Sequence, residues 1–138
     1  MDTLTTAERS ERMRRVRGRN TGPERTLCGL VAKLRRRCDR NVRGLPGSPD
    51  FVFKRQRAVV FMHGCFWHRH EGCRLARIPK SRQDFWIPKL EDNRLRDGRA
   101  VARLRRSGWR AMVVWECQLS RPDRVLRRLR RFVVGTAE

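Results

Sequence analysis

The chain has 138 residues, 38% hydrophobic and 36% charged, with a formal net charge of +21. Such a length supports one modest core, and the longest apolar runs, Ala58–Met62 and Ala111–Trp115, are five residues each, against about 20 for a membrane-spanning helix. Four Trp, six Phe and recurring Leu/Val periodicity argue against a disordered polyelectrolyte, so the charge implies a polyanionic partner, nucleic acid before a membrane surface.

Of the 35 basic residues only Lys33, Lys54, Lys80 and Lys89 are lysines. Arg offers a planar fork of donors that suits phosphates and guanine edges, where Lys is mostly a point charge. Residues 1–20 are polar and charged, unlike a signal peptide. Five cysteines, an odd number, suit free thiols or metal ligands better than disulfides. A cytoplasmic protein is expected.

In chain order, residues 1–20 are Arg-rich with only Met13 and Val16 as apolar anchors, which reads as a marginal helix or basic arm. Thr21-Gly-Pro-Glu24 is a capping box with Pro in the first turn. It opens a helix in which Leu27, Leu30, Val31 and Leu34 share a face. Residues 44–49 (GLPGSP) form a rigid loop expected to end in extended backbone, because a residue before Pro avoids the helical region. Strands Asp50–Phe53 and Ala58–Met62, joined by the charged turn Lys54–Arg57, make a hairpin. A helical region over 81–107 is expected to break or restart at Pro88 and to stop at Gly108. Residues 109–115 (WRAMVVW) read as a buried strand with Trp109 and Trp115 in the core. Ser120 is expected to cap a last helix with Val125, Leu126, Leu129, Phe132 and Val133 on one stripe. Cys28 and Cys38 read as ordinary thiols beside the first helix. The order helix, hairpin, helix, strand, helix predicts a single-domain α/β sandwich around a small mixed sheet, with the folded unit at 21–138.

Residues 61–73, FMHGCFWHRHEGC, hold all three histidines and two of the five cysteines. A structural zinc site needs four N or S ligands in a closed tetrahedron. Cys65-x4-His70-x2-Cys73 with the distant Cys117 satisfies this and would staple the loop to the sheet. Spacing alone equally admits His68 in place of His70, or a reactive loop without metal. Phe66-Trp67 lacks an amphipathic element to bury it, which favours exposure on this loop over a core pair. Asp50 after Pro49 reads either as a strand-capping turn residue or as a carboxylate holding Mg²⁺, a hard cation that prefers oxygen. The second strand carries no acid-x-lysine pair to accompany it.

The pieces RSERMRRVRGRNTGPE, LPGSPDFVF, AVVFMHGCFWHRH, the FW of DFWIPKL, NRLRD and GWRAMVVWEC together resemble the very-short-patch-repair (Vsr) mismatch endonuclease family. The likeness covers roughly residues 8–120, and HGCFWH with a distant WEC is its most distinctive part. It implies a PD-(D/E)xK-like nuclease fold that has lost the acid-x-lysine pair. It implies Asp50 as the Mg²⁺-binding aspartate, His68 acting on the attacking water, His63 as an auxiliary histidine and Glu24 near the active site. Cys65, His70, Cys73 and Cys117 match the structural Zn²⁺ ligands. Phe66, Trp67 and Trp86 match aromatics that push between base pairs, with Arg69 beside them on the DNA side.

Two positions depart from the family. Met62 stands where Thr is common, which suits a backbone carbonyl ligand to Mg²⁺ but not a hydroxyl. One extra residue separates His70 from Cys73, and Gly72 allows a looser turn. The resemblance implies a monomeric bacterial enzyme that nicks duplex DNA 5′ of the mispaired T in T·G mismatches arising from 5-methylcytosine deamination, with mismatch-repair proteins as possible partners. Two alternatives use the same residues: an endonuclease with relaxed mismatch specificity or a modified-DNA target, and an inactive zinc-stapled DNA-binding module.

Overall fold

The computed structural model describes residues 22–135; the N-terminal arm and Thr21 of the capping box lie outside the described residues. Helix α1 (Gly22–Ala32) is followed by strands β1 (Asp39–Arg40), β2 (Phe51–Phe53) and β3 (Ala58–His63). A short 3-10 turn (Arg74–Ala76), helix α2 (Gln83–Arg106), strand β4 (Arg110–Trp115), a second 3-10 segment (Glu116–Ser120) and helix α3 (Pro122–Val133) complete the order. The strands form one mixed sheet in the order β1-β2-β3-β4. β1, β2 and β3 run antiparallel, while β3 and β4 are parallel from Ala58↔Arg110 to His63↔Trp115. A parallel pair needs a long crossover, and the chain between β3 and β4, with α2 in it, supplies it.

Strand alternation sorts the sheet into two faces. Phe51, Phe53, Val60, Met112 and Val114 pack with Leu27, Leu30, Val31 and Leu34 of the first helical segment and with Val125, Leu129 and Val133 of α3. Val52, Val59 and Phe61 pack with Leu104 of α2 on the other side. Leu27, Phe51, Phe53, Val60, Leu104 and Leu129 are 0% exposed, each burial contributing about 1.5–3 kcal/mol. The sheet is thus a thin central layer with α1 and α3 on one face and α2 on the other, and the ends of β3 and β4 project toward the loop at 64–76.

Several local expectations are corrected. Helix α2 runs without a break through Pro88; Pro88 is exposed in the second turn, so its ring lies toward solvent and the helix forgoes only the one bond that a residue there would donate to Asp84 O. Ser120 does not cap α3: its Oγ donates to Cys117 O at 3.0 Å, and α3 begins instead with Pro122 at its first position. Leu45-Pro46-Gly47-Ser48 closes by Ser48 N–H donating to Leu45 O at 3.0 Å. Ser48 takes φ 49° rather than extended backbone. The reason lies in Gly47, whose φ of 75° follows Pro46 as in a type II turn. An added Cβ at Gly47 would stand 2.8 Å from Ala100 Cβ, so the turn is pressed against α2 and its exit is dictated by that packing. The two-residue strand β1 had no sequence signal, being too short for alternation to register.

Candidate active site

One end of the sheet collects the carboxylates. Asp50 precedes β2, and its Oδ2 accepts the Met62 N–H at 2.6 Å. Burial pushes the Asp50 carboxyl up to about 6, against the lowering effect of that backbone bond; the Glu24 charge raises it further, and His68 and Arg40 lower it. A buried carboxylate short of positive charge is a natural cation site. Glu24 is 5% exposed, and Arg40 donates to its Oε2 at 3.3 Å while lying 4.6 Å over the Phe51 ring. The Met62 side chain packs against the α1/α3 core, so only its backbone faces Asp50.

The histidines stand next to these acids. His63 ends β3, and its ring stacks on His68 at 3.9 Å and 4°. His68 Nδ1 lies 2.5 Å from Asp97 Oδ2. With that nitrogen donating to the carboxylate, Nε2 is left as an acceptor, the arrangement of an oriented general base. Burial pushes His63 down to about 3, with the His68 charge adding to it, so His63 is neutral at physiological pH. His63, His68 and Asp97 are close enough to form a candidate metal set. However, imidazole lone pairs lie in the ring plane, and two parallel stacked rings do not aim at a common ion. The geometry suits handling a proton better than holding an ion.

Helix α2 holds the loop in place. Trp86, Leu90, Asn93, Asp97, Ala100 and Leu104 recur at helical spacing on one face, and two of them are polar. Asn93, 6% exposed, donates from Nδ2 to Trp67 O at 3.1 Å, and Asp97 takes His68. Glu91 accepts from Arg69 Nη1 at 3.0 Å. Asp97 and Asn93 were not singled out from sequence, although both stand in the quoted NRLRD. The available signal was polar side chains in core register on an otherwise apolar helix stripe.

On the far side of the loop, Cys65, His70, Cys73 and Cys117 bring four ligand atoms within 4.8 Å of one another. Cys117 Sγ stands 3.5 Å from His70 Nδ1, the separation of about 3.5 Å that tetrahedral zinc bond lengths impose. The donor set therefore fits a tetrahedral ion, with His70 rather than His68 in the fourth place. Gly72, in the left-handed region at φ 71° with nothing near its missing Cβ, makes the turn between His70 and Cys73. Glu116 Oε1 accepts the Cys65 N–H at 3.4 Å. Trp115, expected in the core, is half-buried and stacks on His70 at 4.1 Å and 10°.

Phe66, Trp67 and Trp86 form an edge-to-face cluster with ring centres 5.1, 5.4 and 6.1 Å apart. Phe66 and Trp67 are half-buried. Trp86 is 7% exposed and underlies them in the DNA-free protein.

A small mixed α/β sheet with acids, an Asp–His pair and a Cys/His tetrad at one end, on a chain of formal charge +21, fits a hydrolase that cuts nucleic acid. The family described as DNA mismatch endonuclease Vsr matches residues 1–74. The chain is 48% identical over 119 residues to the type II nicking enzyme V.XorIIP of Xanthomonas oryzae pv. oryzae, covering 86% of this chain and 87% of that protein. It is 42% identical over 113 residues to the DNA mismatch endonuclease Vsr of Escherichia coli K12, covering 82% and 72%. With the type II nicking enzyme V.NmeAIP of Neisseria meningitidis it shares 36% over 132 residues, covering 96% and 94%. The chain belongs to the Vsr DNA mismatch endonuclease family, and is an endonuclease acting on DNA. No helix among the described residues is long and apolar enough to cross a membrane.

Proposed function

We propose that this endonuclease nicks duplex DNA on the 5′ side of the mispaired T in T·G mismatches left by deamination of 5-methylcytosine. The observation that carries the reading is the convergence of Asp50 and Glu24 with the Asp97–His68–His63 chain at one end of the sheet. In this reading the fold is a PD-(D/E)xK nuclease in which histidines replace the acid-x-lysine pair. Asp50 and the Met62 backbone hold Mg²⁺, with Glu24 close by. When bound, the ion supplies charge neutralisation and polarisation at the scissile phosphate. His68, held through Nδ1 by Asp97, takes the proton of the attacking water at Nε2. Neutral His63 fixes the plane of His68 and keeps a second positive charge away from it.

Cys65, His70, Cys73 and Cys117 hold Zn²⁺ as a staple. The rigid loop then lets Phe66 and Trp67, backed by Trp86, wedge beside the mismatch, where unstacking costs ~a few kcal/mol and least at a mispair. Arg69 lies on the DNA side of the same loop. Residues 21–138 are the nuclease unit and residues 1–20 a basic arm; the enzyme works as a cytoplasmic monomer, with mismatch-repair proteins as candidate partners.

Relatives described as type II nicking enzymes favour one variant of this reading, in which the flanking sequence or the mismatch accepted differs. A panel of Mg²⁺-supplied duplexes with T·G in different flanks, matched controls and 5-methylcytosine-bearing DNA decides between them. Nicking confined to T·G supports the proposal, nicking across the panel supports the relaxed variant, and no nicking at all supports an inactive binding module. Asp50→Ala is expected to abolish nicking while duplex binding persists; retained nicking would remove Asp50 from the mechanism.

A further inference from the structure

Trp115, the last residue of β4, lies between the Cys/His tetrad and the histidine pair. One side of its ring stacks on His70 at 4.1 Å and 10°. It also meets His63 at 5.2 Å and 77°, its register partner across the parallel β3–β4 pair. His63 in turn lies flat on His68 at 3.9 Å and 4°, and His68 ends on Asp97. Three ring contacts thus run unbroken from a tetrad ligand to the oriented histidine, and one hydrogen bond carries on to Asp97.

His63 is where this chain depends on packing. It is 5% exposed, and its Nδ1 has no hydrogen-bond partner among the described residues. Functional histidines are ordinarily fixed by a hydrogen bond at the second ring nitrogen. Here no such bond holds Nδ1, so the ring plane is set by its neighbours Phe61 at 5.6 Å and 51°, His68 and Trp115. Of these three, Trp115 is the one in ring contact with a tetrad ligand. A side chain stacked flat on His70 and set edge-to-face against His63 transmits a rotation of one to the other, because close-packed rings have little free volume to absorb it.

We propose that Trp115 is a positioning residue, fixing the His63 ring and through it His68, and so coupling the active site to metal occupancy of the tetrad. The proposal rests on the reading of His63 and His68 as active-site histidines and of the tetrad as the zinc site.

The test uses the full zinc-loaded chain with Trp115→Leu, Trp115→Phe and, as a control, His68→Ala. Single-turnover nicking is measured at saturating T·G duplex, duplex affinity separately, zinc content by metal analysis, and the imidazole nitrogens by NMR in the absence of DNA. Trp115→Leu is expected to lower the nicking rate about 10-fold to 100-fold, the effect of a slightly misplaced reacting group. Its duplex affinity and single zinc should stay unchanged, and the His63 and His68 ring signals should shift or broaden. Trp115→Phe, which keeps a flat face, should recover most of the rate. Chelating zinc from the native chain should move the same ring signals. A Trp115→Leu rate within threefold of native, or unmoved imidazole signals, overturns the proposal. Where Trp115→Leu loses its zinc or misfolds, the native chelation titration decides: imidazole signals that ignore zinc removal overturn the coupling. Full nicking by His68→Ala defeats the underlying active-site reading instead, which keeps the two failures distinct.

Discussion

Asp97 and Asp50 make opposite uses of a half-buried carboxyl. Asp97 spends its oxygen on His68 Nδ1, fixing the tautomer that leaves Nε2 able to accept a proton. Asp97→Asn keeps the shape but can present an amide N–H to that nitrogen, favouring the wrong tautomer. Nicking at saturating duplex should fall by about 100-fold or more, within the range that general-base catalysis supplies, with duplex affinity unchanged; a rate within threefold of native would show that His68 is oriented by something else. Asp50 instead sits where burial raises its carboxyl from an ordinary 3.8 to about 6. The folded metal-free protein therefore holds this proton more tightly than the unfolded chain does. Its contribution to stability is present below about 3.8 and is lost as pH rises to about 6. Asp50→Asn retains an oxygen for the Met62 N–H and removes the titration. It should stabilise the metal-free protein at pH 7 by about 1–3 kcal/mol, with the gain vanishing near pH 4 in urea unfolding. Mg²⁺ should narrow the gap at pH 7 by stabilising native Asp50.

At the scale of elements, α2 shows what a sequence reveals and what it hides. Its end followed from the Gly108 stop, because that signal is local. The tasks of Asn93 and Asp97 were hidden, since they depend on a loop some 26 to 29 residues away in sequence docking against that face. Likewise the FMHGCFWHRHEGC stretch displayed its ligands through residue type. Spacing left His68 and His70 both open and only the family resemblance pointed to His70, while Trp115 looked like core because nothing in the strand itself announces the distant His70 on which its ring stacks. The join between α2 and the turn at residues 45–48 is equally non-local. Gly47→Ala must place a Cβ 2.8 Å from Ala100 Cβ and 3.0 Å from the Phe61 ring, at φ 75°. Left-handed backbone costs a non-glycine residue about 1–2 kcal/mol and overpacking about 1–3 kcal/mol. A loss of roughly 2–4 kcal/mol in urea unfolding is expected. Adding Ala100→Gly should return part of it despite about 1 kcal/mol of helix propensity lost, and strict additivity of the two changes would show that the contact is not the cause.

Over the whole molecule, stability and function rest on separate supports. The two hydrophobic clusters that hold α1, α2 and α3 to the sheet include none of Cys65, His70, Cys73 or Cys117. The segment that presents Phe66, Trp67 and His68 is held by different means: the Asn93, Asp97 and Glu91 bonds, the turn hydrogen bonds at residues 64–73, and the tetrad. Metal binding to such a set is worth several kcal/mol locally, but the energy falls on the loop rather than the core. Removing zinc with a chelator under reducing conditions should therefore leave the far-UV circular dichroism nearly intact and lower the melting temperature only modestly. Nicking should be lost and should return on adding Zn²⁺. Tryptophan emission should change in step, since Trp67, Trp86 and Trp115 all lie in or against the loop. Global unfolding on chelation would mean that the staple carries the fold as well as the site, while undiminished nicking by the zinc-free protein would mean that it carries neither. With the core intact and the loop released, duplex affinity should fall less than the nicking rate, because a chain of formal charge +21 still binds phosphates through counterion release when its wedge and its general base are no longer held in position.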